Sequence, residues 1–210
     1  MKKDKCMISY EKLIKEFADS VQNSKVLDFG CGNGNYTVLF SGRGNEVEGA
    51  DIADLRYKRY KNKFLFSKYN GKKLPYQKDY FDVVTSFDVI EHVDADANYI
   101  KEAKRVLKKG GILFLATPNR TRLSNTILKT IGRQVKYPLI LSKNGRLGSV
   151  IHVREYIQQE LEDLLKKQNF HEIKIKPFWL GLRGSINIGF CYPILPFLSQ
   201  YLFVTARKNK

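Results

Sequence analysis

The 210-residue chain is expected to fold as an α/β protein, a doubly wound, mostly parallel sheet of seven strands with helices on both faces. Three observations predict this. Short apolar runs rich in β-branched and aromatic residues alternate with segments whose apolar residues recur at helical spacing. The first run empties into a glycine-rich turn, Gly30-Cys31-Gly32-Asn33-Gly34. Acidic and small polar residues follow the strands, where sheets of this kind hold their ligands. Composition agrees: 43% hydrophobic and 28% charged residues describe a globular chain, not a disordered one.

Taken in order, Tyr10, Leu13, Ile14, Phe17, Ala18 and Val21 predict an amphipathic helix over 8–22. Strands follow at 25–29, 46–51, 64–66 and 81–86, and a helix is expected to start at 36–40. Ile100, Ala103, Val106 and Leu107 mark a helix that stops at Lys108-Lys109-Gly110-Gly111, a basic last turn and then glycine. Residues 112–116 form a fifth strand, halted by Pro118. Ile157, Leu161, Leu164 and Leu165 place a helix over 154–167, with Asn169 as a left-handed stop. Late strands are expected at 173–175 and 201–204. With no repeat and no low-complexity linker, residues 1–210 read as one domain carrying an insertion at 120–150.

The formal charge is +16, and it is uneven. Residues 101–150 hold twelve basic residues against a single acid, Glu102, so this stretch carries +11. Such a surface attracts nucleic acid, anionic lipid or phosphorylated substrates, unless it is simply a solvated, lysine-rich face. On a helix over 122–136, Leu123, Ile127, Leu128, Ile131 and Val135 share one arc. Arg122, Lys129, Arg133 and Lys136 share the opposite one, an arrangement found on membrane surfaces and on ordinary lid helices. Residues 184–206 lack charge, but Pro193, Pro196, Asn187 and Gln200 interrupt the run and argue against a spanning helix. An apolar connection over 190–198 would then cap a pocket or touch lipid. The charged start, Met1-Lys2-Lys3-Asp4-Lys5, is no secretory leader, and three cysteines (Cys6, Cys31, Cys191) cannot all pair. A reduced, cytoplasmic protein is expected.

The glycine turn does not fit G-x-G-x-x-G, because Asn35 stands where the last glycine belongs, and no G-K-[ST] phosphate loop is present. A G-x-G-x-G turn lets the backbone approach a ligand without pyrophosphate geometry. Asp28 precedes it. Asp51 ends the second strand, where an acid can take both hydroxyls of a ribose or cap a helix starting at Ile52.

Val26-Leu27-Asp28-Phe29-Gly30-Cys31-Gly32-Asn33-Gly34 resembles the first motif of class I S-adenosylmethionine (SAM) dependent methyltransferases. Leu74-Pro75-Tyr76, Tyr80-Phe81-Asp82-Val83-Val84, Asp88-Val89-Ile90-Glu91-His92-Val93 and 105–111 resemble later motifs of the type 11 branch. They come in the family's order and spacing, over about residues 20–120. The resemblance implies a Rossmann-like methyltransferase fold, SAM as methyl donor, and a substrate lid at 120–150. By it, Gly30, Cys31, Gly32, Asn33 and Gly34 pass under the methionine part, Asp28 orients its ammonium, and backbone at Ser86 and Phe87 meets that ammonium. Asp51 binds the ribose, Ile52 packs on adenine, and Asn70, with Gly71 beside it, accepts from the adenine amine. Asp82 is expected to be structural.

An oxygen acceptor needs a base, and His92, just after the fourth strand, is the candidate catalytic residue; its other reading is a residue fixing the next helix. His152 has the same two readings. Quinone-biosynthesis O-methyltransferases that this stretch resembles use its acid and histidine near a divalent metal, but Glu91 and His92 alone are too few ligands, and no metal is expected. Ser86-Phe87-Asp88-Val89 stands where enzymes acting on base amines carry Asn/Asp-Pro-Pro-aromatic. The expected function is therefore O-methylation of a small or lipid-linked acceptor, sugar- or quinone-like, with peripheral contact to an anionic membrane at its inner face. The alternatives are a tRNA methyltransferase, suggested by the charge and by Gly32-Asn33-Gly34-Asn35-Tyr36, and a non-catalytic SAM-binding subunit.

Overall fold

The computed structural model of the chain describes residues 5–145, 148–182, 186–190 and 195–209. In chain order its elements are α1 (Lys5–Ser20), β1 (Lys25–Phe29), β2 (Glu46–Asp51), β3 (Leu65–Lys68), β4 (Phe81–Phe87), α2 (Asp96–Val106), β5 (Leu107–Pro118), α3 (Leu123–Thr130), β6 (Leu139–Gly145), β7 (Gly148–His152), α4 (Gln158–Lys167), β8 (Phe170–Phe178), β9 (Leu180–Leu182), β10 (Ile186–Phe190) and β11 (Tyr201–Lys208). Seven strands form the central sheet, in the order β3-β2-β1-β4-β5-β11-β8. The first five run parallel, and β11 is antiparallel to both of its neighbours. Strand order reverses between β1 and β4, so a crevice opens beyond their carboxyl ends.

Period-two alternation distributes the strands' side chains between two cores. Leu27, Val84, Leu113, Leu115, Leu202 and Val204 point to one face, which α2 and α4 cover with Tyr99, Ile100, Ala103, Leu161 and Leu165. Val26, Val83, Phe87, Phe114, Ala116 and Phe203 point to the other, where α1 contributes Tyr10, Ile14 and Ala18.

Helices thus stand on both faces of the seven-stranded sheet, as expected, but on the second face the crossovers themselves are short. The helix expected from 36–40 is a single 3-10 turn, Thr37–Phe40. Gly42, Arg43 and Gly44 follow with φ of 105°, 49° and 72°, and turn the chain straight back into β2. Between β2 and β3 there is again only one 3-10 turn, Lys58–Tyr60. Aromatic rings fill the space that crossover helices would take: Phe17 lies 4.0 Å from Phe114 and 6.2 Å from Phe40, and Phe203 5.4 Å from Phe178, between ring centroids.

Other boundaries move for local reasons. α2 stops at Val106, because Leu107 already pairs with Phe81 and β5 bulges through Gly110 at φ 74°. α4 begins at Gln158 rather than 154, since Arg154 and Tyr156 are drawn to Asp96. The helix expected over 122–136 is only Leu123–Thr130, stopped at Gly132 with φ 75°. Its basic arc dissolves accordingly: Arg122 is paired with Glu155, and Arg133 and Lys136 lie beyond the helix. The hairpins β6–β7 and β9–β10 were not expected. Between them, α3 and β6–β7 occupy the 120–150 insertion. Residues 191–194 of the apolar 190–198 connection lie outside the described residues. Among the described residues, no helix is long and apolar enough to cross a membrane.

Because α1 alone brings an α-helix to the second core, its buried residues should matter more than those of α3. Ile14, fully buried, should cost about 2–5 kcal/mol on Ile14→Ala. Ile127, 41% exposed on α3, should cost under about 0.5 kcal/mol by the same change, both measured by urea denaturation.

Candidate active site

Asp28 ends the β1 side of the crevice and is buried. Thr37 donates to its Oδ2, and Thr85 to its Oδ1 at 3.0 Å. Burial outweighs both hydrogen bonds and raises the carboxyl pKa to about 6. The three glycines beyond it all have positive φ but face different surroundings. A Cβ on Gly30 would meet Val89 at 2.4 Å, and one on Gly34 would meet Phe64 at 2.9 Å, so these two are packing glycines. Around Gly32 there is no atom within 4 Å of where a Cβ would stand. Only Gly32 therefore leaves room for a ligand to lie against the loop.

Asp51 binds the loop to β2. Its Oδ2 accepts from the Gly32 amide at 2.8 Å and its Oδ1 from the Ile52 amide at 2.7 Å. Burial still raises its pKa. No helix follows Asp51, so the helix-cap reading falls away. Beside it Ile52 is 51% exposed, an apolar face left uncovered at the mouth of the crevice. Asn33 shapes its own turn: its Oδ1 accepts from Asn35, and its carbonyl accepts from Tyr57. Burial pushes the Cys31 thiol far up, which makes it a packing group rather than a nucleophile.

Asn70 is placed differently from its expected use. Its Oδ1 accepts from the amides of Lys72 and Lys73, which occupies the carbonyl that was to meet adenine. Gly71 beside it is open, at φ 80°. The Ser86 hydroxyl bonds Tyr99, whose own hydroxyl donates to the Phe29 carbonyl at 2.6 Å. Pairing of β4 with β1 ends at Thr85, so at Ser86 and Phe87 the strand extends past its β1 partner. Asp82, as expected, is structural: it accepts from the Lys25 amide and pairs with Lys108.

At the β4 end the chain gathers a second polar group. Asp88 turns left-handed, at φ 54°, and a 3-10 turn carries Glu91 and His92. Glu91 is fully buried; its Oε2 accepts from Thr117 at 2.9 Å, while its Oε1 has no hydrogen-bond partner. Burial and the nearby Asp88 push its pKa well up. His92 Nδ1 lies 2.7 Å from the Ile151 carbonyl, to which it must donate, so Nε2 keeps its lone pair. Burial lowers the His92 pKa, which holds the ring neutral near pH 7.

His152, from β7, packs its ring 4.8 Å from that of His92. Its Nδ1 donates to Glu155 at 2.8 Å, and Arg122 pairs with the same carboxylate. Burial raises the Glu155 pKa, but these hydrogen bonds outweigh it and hold the carboxyl below its ordinary value. A cavity of 190 Å³ adjoins the pair, lined by Pro118, Arg122, Leu141, His152, Glu155 and Tyr201 among others. The expectation of no metal rested on two ligands. The structure adds His152, and the ligand atoms of Glu91, His92 and His152 all lie within 4.8 Å of one another. Three such donors suit a divalent cation with open positions. In the sequence, the resemblance at Glu91-His92 and the candidate base His152 were signs of two parts of this arrangement, but not of their meeting.

The sheet order, the glycine turn open at Gly32 and the acid ending β2 define a class I SAM-dependent methyltransferase, an enzyme that takes its methyl group from SAM. The chain belongs to the methyltransferase-domain family, whose model matches residues 7–174. It is 32% identical over 170 residues to the ubiquinone biosynthesis O-methyltransferase of Pelagibacter ubique, covering 76% of this chain and 68% of that one. It is 33% identical over 118 residues to the enzyme of the same name from Nitrosomonas europaea, covering 51% of this chain and 49% of that one. A SAM-dependent methyltransferase from Archaeoglobus fulgidus shares the fold, with a TM-score of 0.62 at 21% identity over 94% of each chain.

Asp28 provides a test of the site. Raising a carboxyl pKa from 3.8 to about 6 corresponds to about 3 kcal/mol. A pKa raised on folding favours the fold when the group is protonated. The benefit is complete below pH 3.8 and is lost as pH rises through about 6, so the ligand-free protein bears the cost at pH 7. Asp28→Asn should therefore raise the Tm at pH 7 and close the gap at pH 4. A role for Asp28 in orienting the SAM ammonium, as the motif resemblance implies, predicts that the same variant weakens SAM binding about tenfold or more by calorimetry.

Proposed function

We propose that the protein O-methylates a phenolic, quinone-like acceptor, with His92 as general base. The observation that carries this reading is the His92 ring: its Nδ1–H is tied to the Ile151 carbonyl, burial keeps it neutral and leaves Nε2 its lone pair, and the ring packs 4.8 Å from that of His152, which lines the cavity. The ubiquinone biosynthesis O-methyltransferases it resembles support the acceptor class.

SAM supplies a methyl group on a sulfonium. In this reading Gly32 leaves the loop open for its methionine part, Asp28 faces its ammonium with the backbone of Ser86 and Phe87, Asp51 takes the ribose hydroxyls and Ile52 covers adenine. Asn70 and Gly71 shape the loop around the adenine rather than reading its amine. His92 Nε2 accepts the acceptor's O–H proton as the oxygen bonds the methyl carbon. The C–S bond breaks and its electron pair stays on sulfur. Holding the three atoms in line can supply about 7–11 kcal/mol, and the base roughly 10²–10⁴-fold.

The test is incubation with labelled SAM and a 4-alkylcatechol, following label in the organic phase. At saturating SAM, kcat/KM should rise with pH through a value below 6.5 and then level off, because the base works only when neutral. His92→Ala should lower kcat at least about a hundredfold and abolish this limb, while SAM affinity stays within about twofold. An unchanged profile would move the base elsewhere.

We also propose that the 120–150 lid rests on an anionic membrane from the cytoplasmic side, as suits a lipid-linked acceptor. Ile127, Ile131, Ile140 and Leu141 are exposed there, and Phe197 is 58% exposed on a turn tied to the lid through Thr121. Exposed Lys129, Arg133 and Lys136 accompany them, each contributing about 1 kcal/mol near such a surface. Co-sedimentation with anionic vesicles should fall in high salt, and with Arg133→Glu plus Lys136→Glu, while neutral vesicles capture little. Tight tRNA binding in a gel shift without vesicle binding would favour an RNA acceptor instead.

A further inference from the structure

We propose that Tyr10 is an acceptor-recognition residue, donating its phenolic hydrogen bond to an oxygen of the acceptor adjacent to the one methylated. The inference deepens the phenolic-acceptor reading above and rests on it. Tyr10 lies on α1, 82 positions before His92, and no motif includes it. Its side chain is fully buried, yet its hydroxyl has no hydrogen-bond partner. A buried, unpartnered hydroxyl costs about 1–3 kcal/mol, and a phenylalanine would fill the same space without that cost.

The ring is fixed by three others, with centroids 5.7 Å from Tyr36, 4.7 Å from Tyr201 and 4.9 Å from Phe203. Tyr36 in turn packs edge-on against Phe87, at the end of β4, 5.5 Å away. The ionisable groups acting on the Tyr10 hydroxyl are Asp88, Tyr36, Tyr201 and Glu91, and with burial they push its pKa well up. It therefore stays an O–H donor throughout the working pH range. Tyr201 also lines the cavity that holds His152 and Glu155. The Tyr10 ring thus packs between Tyr36, which touches the β4 end, and Tyr201, which lines the cavity, on the opposite face of the sheet from α2.

A second orphan points the same way. Glu91 Oε1 is buried without a partner, and Glu91 is among the groups acting on Tyr10. Two unsatisfied polar atoms at the acceptor end of one site call for a ligand with more than one oxygen. An aromatic acceptor with vicinal oxygens meets this: its ring packs among Tyr36 and Tyr201, one oxygen delivers its proton to His92, and its neighbour accepts from Tyr10. No bond is made or broken at Tyr10, so it is a positioning residue.

The test is Tyr10→Phe, which keeps the ring and removes only the hydroxyl. With a 4-alkylcatechol as probe, KM should rise about tenfold, while the Kd for SAM stays within about twofold of wild type. With the matching 4-alkylphenol, which lacks the second oxygen, wild type and variant should not differ. Without any acceptor, the variant's Tm should equal or exceed that of wild type. An unchanged KM for the catechol, or equal losses with both probes, overturns the proposal. So does a Tm several degrees below wild type, because the hydroxyl would then have a partner inside the protein. Should wild type leave the catechol unmethylated, the acceptor class fails, and the Tm comparison still decides whether the Tyr10 hydroxyl is held for a ligand.

Discussion

Burying a carboxyl group is costly, and this protein does it at Asp28 and Glu91 along one edge of one sheet, besides the Glu155 that Arg122 and His152 partner. Asp28 stands one residue before the end of β1 and Glu91 follows β4, and burial drives both toward protonation. Threonine hydroxyls offset part of the cost: Thr37 and Thr85 at Asp28, Thr117 at Glu91. Each of these donors comes from a different segment, so the acids dictate how the ends of β1, β4 and β5 meet. The crevice exists because the strand order reverses between the two acids. One lies under the glycine turn and the other beside His92 and His152, and a cationic ligand would relieve the first as a metal or a protonated group would relieve the second.

The two faces of the sheet solve the packing problem differently. On the α2–α4 face, aliphatic and aromatic side chains pack in the usual way under helices. On the α1 face the crossovers are too short for helices, and rings from Phe17, Phe40, Phe87, Phe114 and Phe203 fill the volume instead. Flat rings leave directional gaps as well as filling space. The row from Phe87 through Tyr36 to Tyr10 and Tyr201 runs from the β4 end to the cavity, which Tyr201 lines, so the same substitution of rings for helices links the two by aromatic contacts.

What could be read in advance depended on how far apart the deciding residues lie. β1 and β2 matched their expected bounds, because a strand's burial pattern and its terminal turn are local. The seven-strand architecture and the glycine loop followed from the same local signals. The helix expected from Tyr36 failed because periodicity over four or five residues cannot show that Gly42-Arg43-Gly44 turns the chain away. The 122–136 helix failed similarly: the apolar spacing continues through Val135, but Gly132 adopts a left-handed backbone that ends the helix first. The glycine motif showed that three positions need freedom, but not that Val89 and Phe64 are what press on two of them. The sequence offers His152 as a second candidate base, but its meeting with His92, 60 residues away, was out of reach, as was the packing of Tyr10 on rings about 190 residues away, because only the folded sheet brings these together.

The position of α1 also sets an order of events in synthesis. Its apolar face packs against Tyr201 and Phe203 of β11, and β11 is the strand that joins β8 to the rest of the sheet. About 190 residues separate the two. At roughly 5–20 residues per second, the ribosome takes about 10–40 s to deliver β11 after α1 has emerged. Throughout that interval α1 can already meet Phe40 and the β1, β4 and β5 side chains of the same core. The Tyr10 end, however, lacks the two rings that β11 brings, and closing so long a loop carries an entropic cost. Nascent chains of this protein thus hold the Tyr10 end of the helix only partly covered until the last strand arrives.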